Sequence, residues 1–323
     1  MTDRTPTAGI HHVTAIAGDP QQNLDFWAET LGLRFVKRSI NQDDPSTYHF
    51  FFADSEGTPG TSMTFFPWEN MRHGKVGTGQ VSRTAFRVPD GSLDFWEDRF
   101  DEYGVEYDDR LERFGETVLP FFDPDGLPVA LIAVEIPDDD PTVPWTEFVD
   151  EAHAIRGFHS VALWVGDPYQ TEEILRTMGL EEVGTEQSPD DTGDERTRFA
   201  ASGPVGKYVD VLPTIEGGRG GHGTVHHVAF QTPTDADQKA MRKAVRSDGL
   251  NPTTQINRHW FRSVYFREPN GVLFELATSD PGYTSDEPLE ELGERLVLPG
   301  EFEANRTQIE AGLAEIHIPR ATD

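Results

Sequence analysis

The strongest constraint on what this chain can fold into is a repeat: a Gly-led strand, a polar or Pro-containing turn, an amphipathic helix and further strands recur four times. The first copy opens with Gly9-Ile10-His11-His12-Val13-Thr14-Ala15-Ile16, turns at Gly18-Asp19-Pro20 and continues as a helix over residues 21–33. The second runs through residues 79–88, turns at Pro89-Asp90-Gly91 and enters a helix through Trp96 and Phe100. The third opens with Gly157-Phe158-His159-Ser160-Val161-Ala162, turns at Gly166-Asp167-Pro168 and continues to Leu180. The fourth covers residues 223–231, turns at Pro233 and enters a helix over 235–247. Each copy closes on another Gly-led strand: Gly60-Thr61-Ser62-Met63-Thr64, Gly126-Leu127-Pro128-Val129-Ala130, Gly206-Lys207-Tyr208-Val209-Asp210 and Gly271-Val272-Leu273-Phe274-Glu275.

Apolar residues recur at helical spacing in the helices, as in Leu24, Trp27 and Leu31, while the flanking strands are β-branched and aromatic. A βαβββ unit built this way has one apolar sheet face that needs a partner. The fold class expected is therefore α+β, four βαβββ modules paired into two domains, with the sheets curled around shared clefts. Along the sequence the first pair of modules spans 1–140 and the second 150–280, with the Pro- and Asp-built stretch 137–144 as linker. Residues 281–323 read as a C-terminal tail with an amphipathic helix near 305–316.

Composition narrows the class of function. The formal net charge is -30, and the local basic cluster Lys239, Arg242, Lys243 and Arg246 is flanked by Asp237 and Asp248, so no nucleic-acid partner is expected. Such a carboxylate-rich surface suits concentrated salt, where screening lengths fall to roughly 3 Å at 1 M, and a halophilic host is the expectation. No run approaches the ~20 apolar residues of a membrane span and residues 1–10 lack signal-peptide character, so a cytoplasmic protein without a membrane partner is expected. There is no Cys, which leaves His, Asp and Glu as metal ligands.

The repeats act as an internal control for chemistry. Aligning the opening strands places His12, Arg83, Ser160 and His227 at one position, and the fifth position of the closing strand carries Thr64, Ala130, Asp210 and Glu275. Only modules one and four hold good ligands, because an arginine stays protonated and offers no lone pair. Pairing those modules would converge His12, His227 and Glu275, two imidazoles and one carboxylate, the facial set typical of non-haem Fe(II) oxygenases. Glu275 stands among Val272, Leu273, Phe274 and Leu276, where a carboxylate is costly to desolvate unless a cation meets it. His49, His73, His153, His222, His259 and His317 occupy no repeated position and read as surface or local hydrogen-bond residues; Asp210 reads as a structural acid.

These motifs resemble the vicinal-oxygen-chelate (glyoxalase, bleomycin-resistance and dioxygenase) superfamily, and within it the hydroquinone-type ring-cleaving dioxygenases. The resemblance rests on Gly9-Ile10-His11-His12-Val13-Thr14, Leu33-Arg34-Phe35-Val36-Lys37-Arg38, Tyr48-His49-Phe50, Gly57-Thr58-Pro59-Gly60-Thr61, Arg156-Gly157-Phe158-His159-Ser160, Val225-His226-His227-Val228-Ala229-Phe230 and residues 271–275. It implies metal ligands from modules one and four, Fe(II) as cofactor with Mn(II) as the alternative, and a small aromatic diol or hydroquinone reacting with O2. It also implies catalytic support from His11, His226, Thr14, Arg258 and Tyr265, with Tyr265 hydrogen-bonding substrate oxygen and Arg258 stabilising negative charge. Neighbours on a regular strand face opposite ways, so His11 and His12 share a cleft only across a bulge or twist. Two rivals stand beside this reading. One is a glyoxalase-like lyase or isomerase using Zn, Ni or Mn, against which Thr64 stands where a second carboxylate would be needed; the other is a non-catalytic protein that sequesters an aromatic compound. Self-association into a homo-oligomer stays open.

Overall fold

The computed structural model describes residues 5–187 and 195–321. Each repeat folds as a βαβββ unit. The first contains β1 (Ile10–Ala17), α1 (Pro20–Leu24), β2 (Arg34–Asn41), β3 (Asp44–Ala53) and β4 (Ser62–Pro67). The second contains β5 (Gln80–Pro89), α2 (Leu93–Tyr103), β6 (Leu111–Arg113), β7 (Glu116–Phe122) and β8 (Pro128–Val134). The third contains β9 (Phe158–Val165), α3 (Pro168–Thr177), β10 (Glu181–Gln187), β11 (Glu195–Ala200) and β12 (Tyr208–Pro213). The fourth contains β13 (Thr224–Thr232), α4 (Asp235–Ser247), β14 (Ile256–Asn257), β15 (Arg262–Arg267) and β16 (Leu273–Thr278).

The modules pair first with fourth and second with third. One eight-stranded sheet has the order β14-β15-β16-β13-β1-β4-β3-β2 and the other β10-β11-β12-β9-β5-β8-β7-β6. Within every module the opening strand runs parallel to the closing strand, and the two opening strands of a pair meet antiparallel at the centre. The residue two places after the repeated position faces the fifth closing-strand position each time: Thr14 with Thr64, Ala85 with Ala130, Ala162 with Asp210 and Ala229 with Glu275.

Strand alternation sorts the core. On β3, Phe50 and Phe52 join the main core with Trp27, Phe65, Phe86, Phe121 and Phe158, whereas Phe51 and Ala53 turn to the opposite face with Ala229, Ala277, Trp260 and Phe261. Burying a large aromatic such as Trp27 fully is worth about 3–5 kcal/mol against Ala. The first helix is shorter than the spacing suggests: α1 gives way to a π-helical turn over Asp25–Thr30, where the Leu31 N–H reaches the Phe26 carbonyl, and Gly32 at φ 68° ends it. That wide turn carries Phe26 and Trp27, both buried against the main core.

The linker is pinned rather than loose. Asp140 pairs with Arg87, and the Val143 N–H donates to Asp54. The tail wraps the first sheet: the Val297 N–H donates to the Arg38 carbonyl on the β2 edge, Ser39 Oγ donates to the Val297 carbonyl, and Tyr48 donates to the Ala314 carbonyl. Its helix, α5 (Arg306–Gly312), stops short of the expected end at Ile316, because the chain becomes extended at Leu313.

Candidate metal centre

All four opening strands carry a bulge at the residue preceding the repeated position. Register jumps leave His11 and His226 as the extra residues in the β1–β13 pair, and Ser82 and His159 in the β5–β9 pair. A bulge is what adjacent strand residues need in order to approach one site. Each extra histidine then reaches back to its successor: His11 Nδ1 lies 2.9 Å from His12 Nδ1, and His226 Nδ1 lies 2.8 Å from His227 Nδ1.

The Nε2 atoms of His12 and His227 point inward, 3.3 Å apart, and stand 3.3 and 3.0 Å from Glu275 Oε2. All three side chains are buried. Donors that share one cation at about 2.0–2.2 Å lie roughly 2.8–3.1 Å apart at octahedral angles and roughly 3.3–3.6 Å apart at tetrahedral ones, limits that bracket this triangle. Glu275 Oε1 accepts from Ser263 Oγ, while buried Oε2 has no hydrogen bond of acceptable geometry among the described residues. Burial opposes the Glu275 charge, yet positive charge on His12 and His227 outweighs it and holds the carboxyl well below its usual range; with both rings neutral, a cation between them would supply that charge instead. An ionised, partly unsatisfied carboxylate beside two converging lone pairs fits a bound cation.

The tautomers agree with that use. Burial, reinforced by their ring neighbours, lowers the pKa of His11 and His226 to about 3, so both are neutral near pH 7. A neutral imidazole can accept the Nδ1–H of His12 or His227, leaving Nε2 of each with its lone pair free.

The triangle opens into a cavity of about 430 Å³ walled by Phe51, Phe66, Trp68, Trp260, Phe261 and Tyr265. His226, His227 and Arg258 also line it, whereas His11 is not part of the wall and packs edge-on against both His12 and Phe261. Arg258 donates to Tyr265 Oη at 3.3 Å and to Asp43 at 2.8 Å. Burial and the Glu275 charge raise the Tyr265 pKa, so its phenol stays protonated and able to donate. Thr14 Oγ1 lies 3.0 Å from His227 Nε2 and 2.7 Å from Thr64 Oγ1.

His49 corrects the sequence reading, which left it as a surface or local residue. It lines the cavity, its Nε2 is 3.0 Å from Thr64 Oγ1, and burial lowers its pKa well below the usual value. The parity of β3 carried the signal: His49 shares a face with Phe51 and Ala53, and Phe51 pairs with Thr64. The other sheet supplies the contrast. There Asp210 receives Arg198 at 2.8 and 3.0 Å and Arg196 at 3.2 Å, and the accompanying cavity is only about 10 Å³. At the fifth closing-strand position, Asp210 is met by guanidinium groups; Glu275 is met by two imidazoles and the Ser263 hydroxyl.

The paired βαβββ modules and this cleft define a class, and the chain belongs to the glyoxalase/bleomycin resistance protein/dioxygenase superfamily, whose family model matches residues 9–131 and 130–276. A Bacillus subtilis protein that carries the name ring-cleaving dioxygenase MhqO is 42% identical over 316 residues, covering 97% of each chain. The chlorohydroquinone/hydroquinone 1,2-dioxygenase of Sphingobium indicum is 32% identical over 310 residues, covering 93% of this chain and 94% of its own. A crystal structure of a B. subtilis protein described as a dioxygenase superposes with a TM-score of 0.91 at 42% identity, covering 98% of this chain and 99% of that one. Glyoxalase I from Zea mays shares the fold, with a TM-score of 0.60 at 15% identity and coverage of 84% and 92%.

Proposed function

We propose that this protein is an Fe(II)-dependent ring-cleaving dioxygenase acting on a hydroquinone- or catechol-type aromatic, with His12, His227 and Glu275 as metal ligands. The observation that carries the proposal is the triangle of Nε2, Nε2 and Oε2 atoms at 3.0–3.3 Å, opening into an aromatic-walled cavity. Relatives named as ring-cleaving dioxygenases support the reaction class, and the hydroquinone 1,2-dioxygenase among them favours hydroquinones over catechols.

Bound there, Fe(II) would supply the redox path that lets O2 react beside an aromatic ring, with positions left open by a facial ligand set. The chain's own residues do the rest. Phe51, Phe66, Trp68, Trp260 and Phe261 hold the ring and exclude water. Arg258, braced by Asp43, offers positive charge to a deprotonated hydroxyl in a protein whose surface is otherwise strongly acidic. Tyr265 Oη donates a hydrogen bond to an oxygen that gains charge during reaction. His11 and His226 hold the ligand imidazoles in the donor tautomer, and Thr14 packs its hydroxyl against His227.

Isotope labelling tests the reaction class. With hydroquinone, Fe(II) and labelled O2, both oxygen atoms are expected in a ring-opened product, read by mass spectrometry. Conversion of a substrate without incorporation of label would move the assignment to a lyase or isomerase.

A further inference from the structure

A second group of imidazoles and a carboxylate lies away from the cavity, where the two sheets meet. His73 belongs to the segment between the first and second modules, Asp125 to the turn between β7 and β8, and His222 to the approach to β13. One donor atom from each lies within 4.8 Å of the others. Their backbones are fixed independently of any ligand. The Gly74 N–H donates to the His222 carbonyl, the His222 N–H to the Arg72 carbonyl, and Asp125 Oδ2 accepts from the Gly18 N–H at 2.8 Å.

Two details indicate a ligand. First, His222 Nε2 lies 2.8 Å from the Trp68 carbonyl, which only accepts, so Nε2 carries the proton. Nδ1 faces Asp125 Oδ1 at 4.0 Å and is the atom a neutral ring would offer to a cation, and a backbone carbonyl is a common orienting partner of a metal-bound imidazole. Second, a Cβ at Gly18 would stand 2.9 Å from Asp125 Oδ1 and 3.0 Å from His222 Nδ1. Glycine keeps open the space these two donors face.

We propose that His73, Asp125 and His222 form a second cation site, for a divalent transition metal of the zinc class. Two imidazoles and one carboxylate suit Zn(II), Co(II), Ni(II) or Cu(II) better than Ca(II) or Mg(II), which take oxygen ligands, and a water completes a tetrahedron. Tetrahedral donors lie about 3.3–3.5 Å apart, so the site closes by roughly 1 Å on binding. His73, the exposed member, supplies most of that movement, and the Asp125 and His222 side chains, 4.0 Å apart, close by about half an ångström. The ligands come from both sheets and the segment between them, so the cation clasps one sheet to the other. It also fixes Trp68, whose carbonyl receives His222 and whose ring walls the cavity.

The test is independent of the dioxygenase assignment. Wild-type crystals soaked in Zn(II) should show an anomalous peak between His73, Asp125 and His222. Calorimetric titration of Glu275→Ala/His227→Ala protein with Zn(II) should show saturable binding that weakens at least tenfold on adding His73→Ala or Asp125→Asn. His73 is exposed, so its removal leaves the fold intact. An anomalous signal confined to the His12 cluster, or Zn(II) binding indifferent to His73 and Asp125, would overturn the proposal and leave His222 and Asp125 as an ordinary ion pair.

Discussion

At the scale of single residues, the site works through pairs of neighbours. His226 Nδ1 lies 2.8 Å from His227 Nδ1 and His11 Nδ1 lies 2.9 Å from His12 Nδ1, so under the proposed function each ligand's donor atom would depend on a residue that need not touch the metal. Orienting partners of this kind are worth about 10–100-fold in metal affinity. His226→Ala should therefore weaken Fe(II) binding by that order in anaerobic titration, with the circular dichroism unchanged; equal affinity would remove His226 from this role. Tyr265→Phe removes one aimed donor and keeps the ring, so kcat should fall by about 10²–10³ with KM little altered. Steady-state kinetics check this, and a change confined to KM would make Tyr265 a binding residue only.

At the scale of elements, the tail and the bulges carry the least obvious information. Lys37 on β2 is fully buried and bonds Asp286 and Glu287 of the tail, Glu287 being buried as well. Lys37→Ala leaves the buried Glu287 carboxylate with only Arg295 as a cationic partner, and should cost about 3 kcal/mol in denaturant unfolding. Burial opposes the Asp286 charge, but its bonds to His259 and Lys37 outweigh that and bring its pKa down to about 2. A depressed carboxyl stabilises the fold above its unfolded pKa of roughly 3.9 and loses that contribution as pH falls through 2. Tail docking should accordingly fail on acidification within that window, and Asp286→Asn should flatten the dependence seen by amide exchange across 281–300. The four modules were legible in sequence because Gly-led strands and helical spacing recur, and His12, His227 and Glu275 stood out because the repeats could be compared. The bulges were not, since an extra residue leaves the hydrophobic pattern of Ile10, Val13 and Ala15 readable either way. His49 was missed because a comparison of repeats sees only repeated positions, and the first helix and the tail helix came out shorter because tertiary packing around Trp27 and the extended chain at Leu313 overrode spacing, whereas α4 kept the expected bounds.

At the scale of the whole molecule, pairing of the first module with the fourth makes the ligand site depend on contacts between residues more than two hundred positions apart. Activity at the proposed site should therefore report on complete folding. A net charge of -30 adds repulsion that salt screens, so Tm should rise steadily from low ionic strength to about 1 M KCl, where the screening length is roughly 3 Å. A flat profile would show that the carboxylates are dispersed widely enough not to oppose folding. Among the described residues no helix is long and apolar enough to cross a membrane. The central claim is that one cation held by His12, His227 and Glu275 makes the aromatic cavity an oxygen-consuming site. Oxygen uptake after anaerobic Fe(II) loading tests it most directly, comparing wild type with Glu275→Ala in the presence of hydroquinone. The account predicts rapid uptake by the wild type, none above background for Glu275→Ala, and none without Fe(II) or substrate; uptake that survives loss of Glu275 would contradict it.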